Sequence, residues 1–326
     1  MIVHIGYPKA ASTTLQRSLF DPHDGINYFG IVPTNNIGYD SPIQNPKSRY
    51  LQNESLKQLH RSLTRIDGSS FSVSEVEARF QEQIEPFLET NRINLFSNER
   101  FLSVYFSYPD LEAKACRLKR FVPNARILIV IRNQVDIITS QYRDWPFDPR
   151  NLIGGEPVSI DQWVDLALKH DDEIGFLHSL QYDKVVELYE DLFGAEAVSV
   201  FCLEQLADDV TSFAKDISSC LQIDRPQTEA LLRNSHENRG VTQKRNTYRQ
   251  FIRTYSLGQV ESLLDRIDRM MGSPLMDRID AVLDAGPKAS YAMSEFQKEK
   301  IKDFFSRSNR SLEKKHQLPL SKYRYP

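Results

Sequence analysis

A lysine and three hydroxyl side chains follow a short apolar segment close to the start of the chain. From His4 to Gln16 the sequence is HIGYPKAASTTLQ, in which a tight turn leads into a predicted helix. The first turn of a helix has unpaired backbone N–H groups and a partial positive charge, and both attract anions. Lys9 adds a full charge, and the hydroxyls add hydrogen-bond donors. The pattern predicts a phosphate-binding loop; the alternative is an ordinary Ser/Thr helix cap beside a solvated lysine.

An arginine ends the clearest predicted strand of the sequence. Residues 126–131 are RILIVI, and a run that is apolar on both faces is typical of a central strand in a parallel sheet. Arg132 therefore lies at the carboxyl end of that strand, where open α/β sheets bind ligands, and its planar guanidinium suits a phosphate. Ser140 follows two turns into the next helix and can reach the same anion. The alternative is an arginine that caps the strand and a serine that faces a neighbouring helix.

A glutamate that follows another predicted strand is the candidate general base. The strand at 93–96 precedes Glu99, which puts the carboxylate near the same edge of the sheet. The alternatives are that Glu99 pairs with Arg100 or caps the next helix. His236, in a predicted loop, is the reserve base, whereas His4, inside the first strand, is expected to be a packed core residue.

These candidate residues depend on strands and helices that alternate along the chain. Strands are predicted at 2–5, 93–96, 126–131 and 198–203; helices are predicted from residue 12 and around 51–66, 74–89, 111–121, 135–145, 160–192 and 210–221. The alternation predicts an α/β, P-loop-like three-layer fold with a central, mostly parallel sheet. No linker divides residues 1–326, so we expect one domain, with 21–50 as a loop or lid and 240–326 as a mostly helical C-terminal extension.

Composition excludes several classes of protein. The 326 residues include 41 basic and 44 acidic side chains, a net charge of −3, whereas nucleic-acid binders usually have a basic excess. No apolar run is long enough to cross a bilayer, so we expect no transmembrane segment. Three widely spaced cysteines exclude a disulfide scaffold or a thiolate zinc site. We therefore expect a soluble, cytoplasmic protein with no bound metal and no nucleic-acid partner; the sequence does not determine its oligomeric state.

The loop and the arginine strand together resemble two motifs of the PAPS-dependent sulfotransferases, where PAPS is 3′-phosphoadenosine 5′-phosphosulfate. The loop is similar to the family's 5′-phosphosulfate loop, and its ending, Ser-Thr-Thr-Leu-Gln, resembles the bacterial carbohydrate-type members. Ala11 stands where the family usually has glycine. The spacing of Arg132 and Ser140 resembles that of the pair that binds the 3′-phosphate in the family. The G-x-x-x-x-G-K-[ST] sequence of nucleotide kinases is absent.

Other stretches resemble the same family less specifically. The segment that ends at Glu99 resembles the strand that delivers the catalytic base, which in carbohydrate sulfotransferases is a glutamate. Residues 188–204 resemble the approach to a Tyr-Glu-x-Leu strand, although Leu203 replaces the tyrosine. Arg239 and Gly240 resemble the late element that closes over the 3′-phosphate, and 304–312 resembles the last helix of the bacterial members.

The resemblance implies a sulfotransferase that moves a sulfuryl group from PAPS to a hydroxyl of a carbohydrate or glycolipid and releases 3′,5′-adenosine bisphosphate. It implies catalytic roles for Lys9 and Glu99 and requires no metal. The donor-binding residues that it implies are Pro8, Lys9, Ala10, Ala11, Ser12, Thr13, Thr14, Arg132, Ser140, Arg239 and Gly240. The alternatives are a P-loop nucleotide kinase and a nucleotide-binding scaffold without catalysis.

Overall fold

The computed structural model describes residues 1–32, 49–65, 70–103, 111–144, 158–235 and 291–326, with a few single positions between 244 and 286. Its centre is a five-stranded sheet in the order β2-β3-β1-β4-β5, and every pair of neighbouring strands is parallel. The strands are β1 (Ile2–His4), β2 (Ile26–Tyr28), β3 (Ile93–Ser97), β4 (Arg126–Ile131) and β5 (Val198–Cys202). The predicted α/β fold with a mostly parallel sheet is confirmed.

The register of the three central strands brings their carboxyl ends to one edge. Ile2 of β1 lies opposite Leu95 of β3 and Arg126 of β4. Because all three strands run in the same direction, the segments that follow them emerge side by side. The predicted phosphate loop follows β1, Glu99 follows β3, and Arg132 follows β4, so this edge assembles the candidate site.

Helices connect the strands and cover both faces of the sheet. The first is a short α-helix, α1 (Ser12–Thr14), which continues as a π-helix over Leu15–Phe20. In the continuous ranges that the structure describes, the other α-helices are α2 (Arg49–Gln52), α3 (Glu54–Thr64), α4 (Val73–Gln83), α5 (Leu111–Phe121), α6 (Gln134–Asp144), α7 (Ile160–Lys169), α8 (Asp171–Ile174), α9 (Tyr182–Phe193), α10 (Leu203–Asp208), α11 (Val210–Leu221), α12 (Arg225–Arg233) and α13 (Glu295–His316). Single turns of 3₁₀-helix occur at Glu85–Phe87, Glu99–Phe101, His178–Leu180 and Ala195–Ala197. Polar side chains cap several helices at the N-terminus, as Ser159 does for α7 in a capping box with Gln162.

Two apolar clusters lie on opposite faces of the sheet, which makes three layers. Alternate residues of β4 supply both clusters: Ile127 and Ile129 pack towards α3, α5 and α9, whereas Leu128 and Val130 pack towards α11. This alternation follows from the two-residue period of a strand and explains why the whole run is apolar.

The segment 21–50 is not entirely a loop. Ile26–Tyr28 forms the edge strand β2, and Arg49 begins α2; positions 33–48 lie outside the described residues. Three residues are too few for a recognisable alternation, and the middle one is polar. Asn27 is nevertheless buried, because its amide donates to the Phe87 carbonyl at 2.7 Å and to Asn94 Oδ1 at 2.8 Å. In the predicted C-terminal extension, α13 is described, and most of 240–290 lies outside the described residues.

Candidate functional site

The loop after β1 is built on a tight turn beside β4. Tyr7 N donates to the Val130 carbonyl at 3.4 Å and continues the line of strand hydrogen bonds, and Ala10 N then donates back to Tyr7 O at 3.1 Å. Gly6 is required where the loop begins, because a Cβ there would lie 2.5 Å from Nε2 of His4. The backbone therefore leaves the sheet, turns within four residues and enters α1.

Two non-glycine residues of the loop have left-handed backbone conformations. The φ angle is 68° at Lys9 and 58° at Ala11. Ala11 is the position where the resembled family usually has glycine, and only glycine adopts this conformation without a steric cost. The family's preference at this position thus has a local physical reason, and this chain accepts the strain.

The hydroxyl of Ser12 stabilises the loop itself. It donates to the Tyr7 carbonyl at 2.9 Å, and the residue is buried with Thr14, whereas Thr13 is half-buried. The predicted contact of the Ser12 hydroxyl with a phosphate stays a prediction. The backbone N–H groups at this end of the helix remain the natural anion donors of the loop.

Arg132 joins the second motif to the first. Its Nη1 donates to the Lys9 carbonyl at 2.9 Å, although the two residues are 123 positions apart. The arginine is half-buried, and its own carbonyl accepts from the Tyr182 hydroxyl at 2.5 Å. The guanidinium of Arg132 therefore lies against the backbone of the loop that carries Lys9, and its planar, permanently charged group suits a phosphate.

The corner after Arg132 is held by contacts from distant parts of the chain. Asn133 N donates to Glu204 Oε1 at 2.8 Å, and the Asn133 amide donates to the Arg324 carbonyl at 2.7 Å. α6 then begins at Gln134, and Ser140 is buried in its second turn. The contacts fix the direction in which β4 passes into α6, and so fix the relative positions of Arg132 and Ser140.

Glu99 begins the 3₁₀ turn Glu99–Phe101 after β3 and is half-buried. Its Oε2 accepts a hydrogen bond from Nε2 of Gln16 at 2.8 Å. The N-cap of the turn is Asn98, whose side chain accepts from Arg100 N at 3.0 Å. The carboxylate therefore lies against the helix that follows the phosphate loop.

A small cleft, partly open to solvent, is lined by residues of the loop, of the segment after the Glu99 turn and of α6. Tyr7 and Pro8 of the loop form one side, and Leu102 and Ser103, directly after the Glu99 turn, form another. Gln141, one residue beyond Ser140 on α6, lies on the third side. The lining is mostly apolar with a few hydrogen-bonding groups, which is the usual make-up of a small-molecule site.

Some of the predicted site residues lie together at the sheet edge, and others lie elsewhere or outside the described residues. The loop from Pro8 to Thr14, Arg132 and Glu99 lie at the same sheet edge, and Ser140 lies on the helix that starts there. Arg239, Gly240 and the reserve base His236 lie outside the described residues. His4 is a fully buried core residue, and burial lowers its pKa to about 3.

Four residues around Glu99 were not predicted from the sequence. They are Gln16, Ser97, Lys114 and His60, all buried and all within one or two hydrogen bonds of Glu99 or its turn. Gln16 belongs to the Ser-Thr-Thr-Leu-Gln ending that carried the resemblance, but the sequence did not show where its side chain points. Lys114 lies among apolar neighbours on α5. A lysine at such a position was a second signal in the sequence, because it indicates a buried ammonium.

Among the described residues, no group of three or more His, Cys, Asp or Glu side chains is arranged to hold a metal ion. Within the same ranges, no helix has both the length and the apolar character needed to cross a membrane.

Comparison with known proteins shows a likeness in fold. No family model and no curated protein sequence matches the chain. A solved sulfotransferase from Alicyclobacillus acidocaldarius is 17% identical over 99% of this chain and 98% of its own, with a TM-score of 0.52. A mouse sulfotransferase, SULT7A1 complexed with PAP, is 17% identical over 71% of this chain and 62% of its own, with a TM-score of 0.38. At this identity the first likeness shows a shared fold, and the lower TM-score of the second does not establish one.

Proposed function

We propose that this chain is a sulfotransferase that uses PAPS to sulfate a hydroxyl group of a carbohydrate or glycolipid. The observation that supports the proposal most directly is the hydrogen bond from Arg132 Nη1 to the Lys9 carbonyl. It brings together the two motifs that resemble the 5′- and 3′-phosphate sites of the family. The shared fold with a solved sulfotransferase supports the same class of reaction.

The residues of the loop and of α6 fit a bisphosphate donor. Ala10 N already donates to Tyr7 O, so the backbone N–H groups between Ala11 and Thr13 would hold the 5′-phosphate. Arg132 with Ser140 would hold the 3′-phosphate. When bound, PAPS supplies the activated sulfuryl group and a bisphosphate that leaves with the electron pair of the broken S–O bond. Lys9 would stabilise the negative charge on that leaving oxygen, a type of stabilisation that supplies much of the acceleration in group transfer.

The carboxylate of Glu99 would take the proton of the acceptor hydroxyl. A positioned base of this kind contributes about 10²–10⁴-fold to the rate. The cleft between Pro8, Ser103 and Gln141 is the proposed acceptor site, because it adjoins both the loop and the turn that begins at Glu99. Its mostly apolar lining suits the less polar face of a sugar or the lipid-proximal part of a glycolipid.

A calorimetric titration without metal tests the donor site. We expect 3′,5′-adenosine bisphosphate to bind more tightly than ADP or 5′-AMP, because only the bisphosphate has the 3′-phosphate. Arg132→Ala should weaken bisphosphate binding by about 10–100-fold, the usual effect of losing a charge-assisted contact. Arg126→Ala is the matched control, since Arg126 lies at the opposite end of the same strand, bonded to the Cys220 carbonyl.

Two results would contradict the donor assignment: equal or tighter binding of ADP, or an equal loss of affinity in both arginine variants.

With the donor site established, transfer from labelled PAPS is measured with free disaccharides, alkyl glucosides and glycolipid vesicles as acceptors. We expect Glu99→Gln to lower turnover by about 10²-fold or more while bisphosphate affinity stays within about twofold. Undiminished turnover in that variant would remove Glu99 as the base.

A further inference from the structure

A buried glutamine holds the carboxylate of Glu99. Gln16 has no exposed surface and lies in the π-helical segment that continues α1. Its Nε2 donates to Glu99 Oε2 at 2.8 Å and to the Ser97 hydroxyl at 3.1 Å. One amide group thus contacts both the side chain of Glu99 and the last residue of the strand that delivers it.

The chemistry of the contact fixes the orientation of the Gln16 amide. An ionised carboxylate only accepts hydrogen bonds, so the NH₂ group must face Glu99 and the carbonyl oxygen must face away. In that orientation Oε1 of Gln16 is buried and has no hydrogen-bond partner. A buried acceptor without a partner weakens folding, so this arrangement is not explained by stability alone.

The Ser97 hydroxyl, which Gln16 also contacts, lies beside a second buried polar side chain, that of His4. Ser97 Oγ lies 2.8 Å from Nδ1 of His4, and Nε2 of His4 has no partner and faces Gly6. If the proton of His4 is on Nδ1, the unpartnered Nε2 is an acceptor. An unpartnered buried acceptor costs less folding free energy than an unpartnered buried N–H donor. His4 then donates to Ser97, and the serine oxygen accepts from both His4 and Gln16.

The same helix also carries the N–H groups that would bind the donor phosphate. α1 begins at Ser12, and Gln16 lies four residues further on in a continuous helical segment. The position of the amide is therefore set by the loop at one end and by the sheet at the other. π-helical turns of this kind are often found at functional sites.

We propose that Gln16 is a positioning residue that aligns the Glu99 carboxylate with the donor site. The inference rests on the proposed function, because it assigns Glu99 the role of the base. Gln16 itself contacts neither donor nor acceptor; it restricts the rotamer of Glu99 and couples it to the phosphate-loop helix. Loss of this contact should slow the chemical step without weakening donor binding.

The test compares Gln16→Met with Gln297→Met. Methionine keeps the length of the side chain and removes the amide. Gln297 is a matched control, because it is also buried with an orphan Oε1 and hydrogen-bonds a carboxylate, that of Asp165, on α7. We expect Gln16→Met to lower kcat by about 10–100-fold with the bisphosphate Kd within about twofold, and Gln297→Met to change neither by more than about twofold. Gln16→Asn, which keeps a buried amide but is too short to reach Glu99, should behave like Gln16→Met and serves if the methionine variant does not fold.

A double variant separates positioning from a general structural effect. If Gln16 acts through Glu99, adding Gln16→Met to Glu99→Gln lowers kcat by no more than about twofold further. Multiplication of the two effects in the double variant would overturn the inference, as would an equal loss of kcat in Gln16→Met and Gln297→Met.

A cycle of unfolding midpoints in urea needs no substrate and tests the contact directly. The Gln16→Met and Glu99→Gln shifts should be non-additive, and additive shifts would overturn the inference. Failure of the proposed function gives a different pattern. In that case wild-type protein fails to bind the bisphosphate or to transfer sulfate to any acceptor, or Glu99→Gln keeps full turnover, whatever the result at Gln16.

Discussion

Strain is concentrated at single residues of the proposed phosphate loop. Lys9 and Ala11 have positive φ angles, and the residue between them does not. A left-handed conformation costs a non-glycine residue about 1–2 kcal/mol, so the loop retains it only because the surrounding turn imposes it. Left-handed conformations next to right-handed ones are typical of loops whose backbone N–H groups bind anions, so this geometry supports the proposed phosphate site.

Substitution of glycine at neighbouring alanines should have opposite effects. Ala11→Gly relieves the left-handed strain and is expected to raise the free energy of unfolding by about 0.5–1 kcal/mol. Ala10→Gly, at a fully buried residue with ordinary φ, should lower it by about 1 kcal/mol. Urea unfolding of both variants measures the difference, and a decrease of similar size in both would show that φ at Ala11 is not strained.

At the scale of an element, the 3₁₀ turn Glu99–Phe101 is supported at both ends. His60, buried in α3, accepts from the Asn98 amide at its Nδ1 and bonds the Phe29 carbonyl through Nε2 at 2.8 Å. A carbonyl can only accept, so the proton of His60 is on Nε2, and this tautomer orients the Asn98 cap. At the other end, Lys114 of α5 donates to the carbonyls of Arg100 at 3.1 Å and Ser103 at 2.6 Å.

Removal of the Lys114 ammonium should loosen this turn. Lys114 is fully buried, so Lys114→Met leaves two carbonyls without their donor and is expected to lower the free energy of unfolding by about 2–3 kcal/mol. We also expect a loss of turnover, because the turn carries Glu99. Lys119→Met, on the same helix at a partly exposed lysine bonded to the Pro123 carbonyl, should cost no more than about 0.5 kcal/mol. Equal stability of the two variants in urea would show that the Lys114 contacts do not support the turn.

At the scale of the whole molecule, the C-terminal residues of the chain contact the corner that follows Arg132. Gln134, at the start of α6, donates to Asn309 of α13 at 2.8 Å, and the Asn133 amide reaches the backbone of Tyr323 and Arg324. The hydroxyl of Tyr325 donates to Glu204 Oε2 at 2.7 Å, on the same glutamate that holds Asn133. The C-terminal helix and its following turn thus brace the corner that carries Arg132.

The buried histidines should make the molecule sensitive to acid. Burial lowers the pKa values of His4 and His60 to about 3, against about 6.5 in the unfolded chain. Between these values the unfolded chain binds protons that the folded chain does not, so stability falls as the pH falls from about 6.5 to about 3. Each histidine contributes about 1.4 kcal/mol per pH unit well inside that window. Neither contributes to a change in stability above about pH 7.

Urea unfolding between pH 7 and pH 4.5 measures this dependence. His4→Asn keeps a donor near the position of Nδ1 and removes the titration, so it should reduce the slope of stability against pH by about 1.4 kcal/mol per unit. His60→Gln provides a second, independent comparison on the other side of β3. Slopes parallel to that of the wild type in both variants would contradict the assignment of these histidines as neutral buried groups.

Local patterns were sufficient to predict most strands and helices. The apolar run 126–131 and the helix at 111–121 have the predicted bounds, because burial on two faces or on one stripe leaves a period in the sequence. The positions of the candidate loop and of Arg132 at the sheet edge were also predicted, since a residue at the carboxyl end of a parallel strand lies at that edge in any sheet order. β2 was missed, because three residues with a polar centre carry no such period.

What the sequence by itself determined is therefore the class of fold, most of its elements and the two motifs that point to a phosphate donor. Only the tertiary structure decided which side chains touch. The bond from Arg132 to Lys9 spans 123 positions and that from Gln16 to Glu99 spans 83, and both depend on the strand order β2-β3-β1-β4-β5 and on side-chain direction. Hydrophobic periodicity reports only whether a side chain is buried, whereas a polar contact depends on the geometry of two distant backbones that pack into one core.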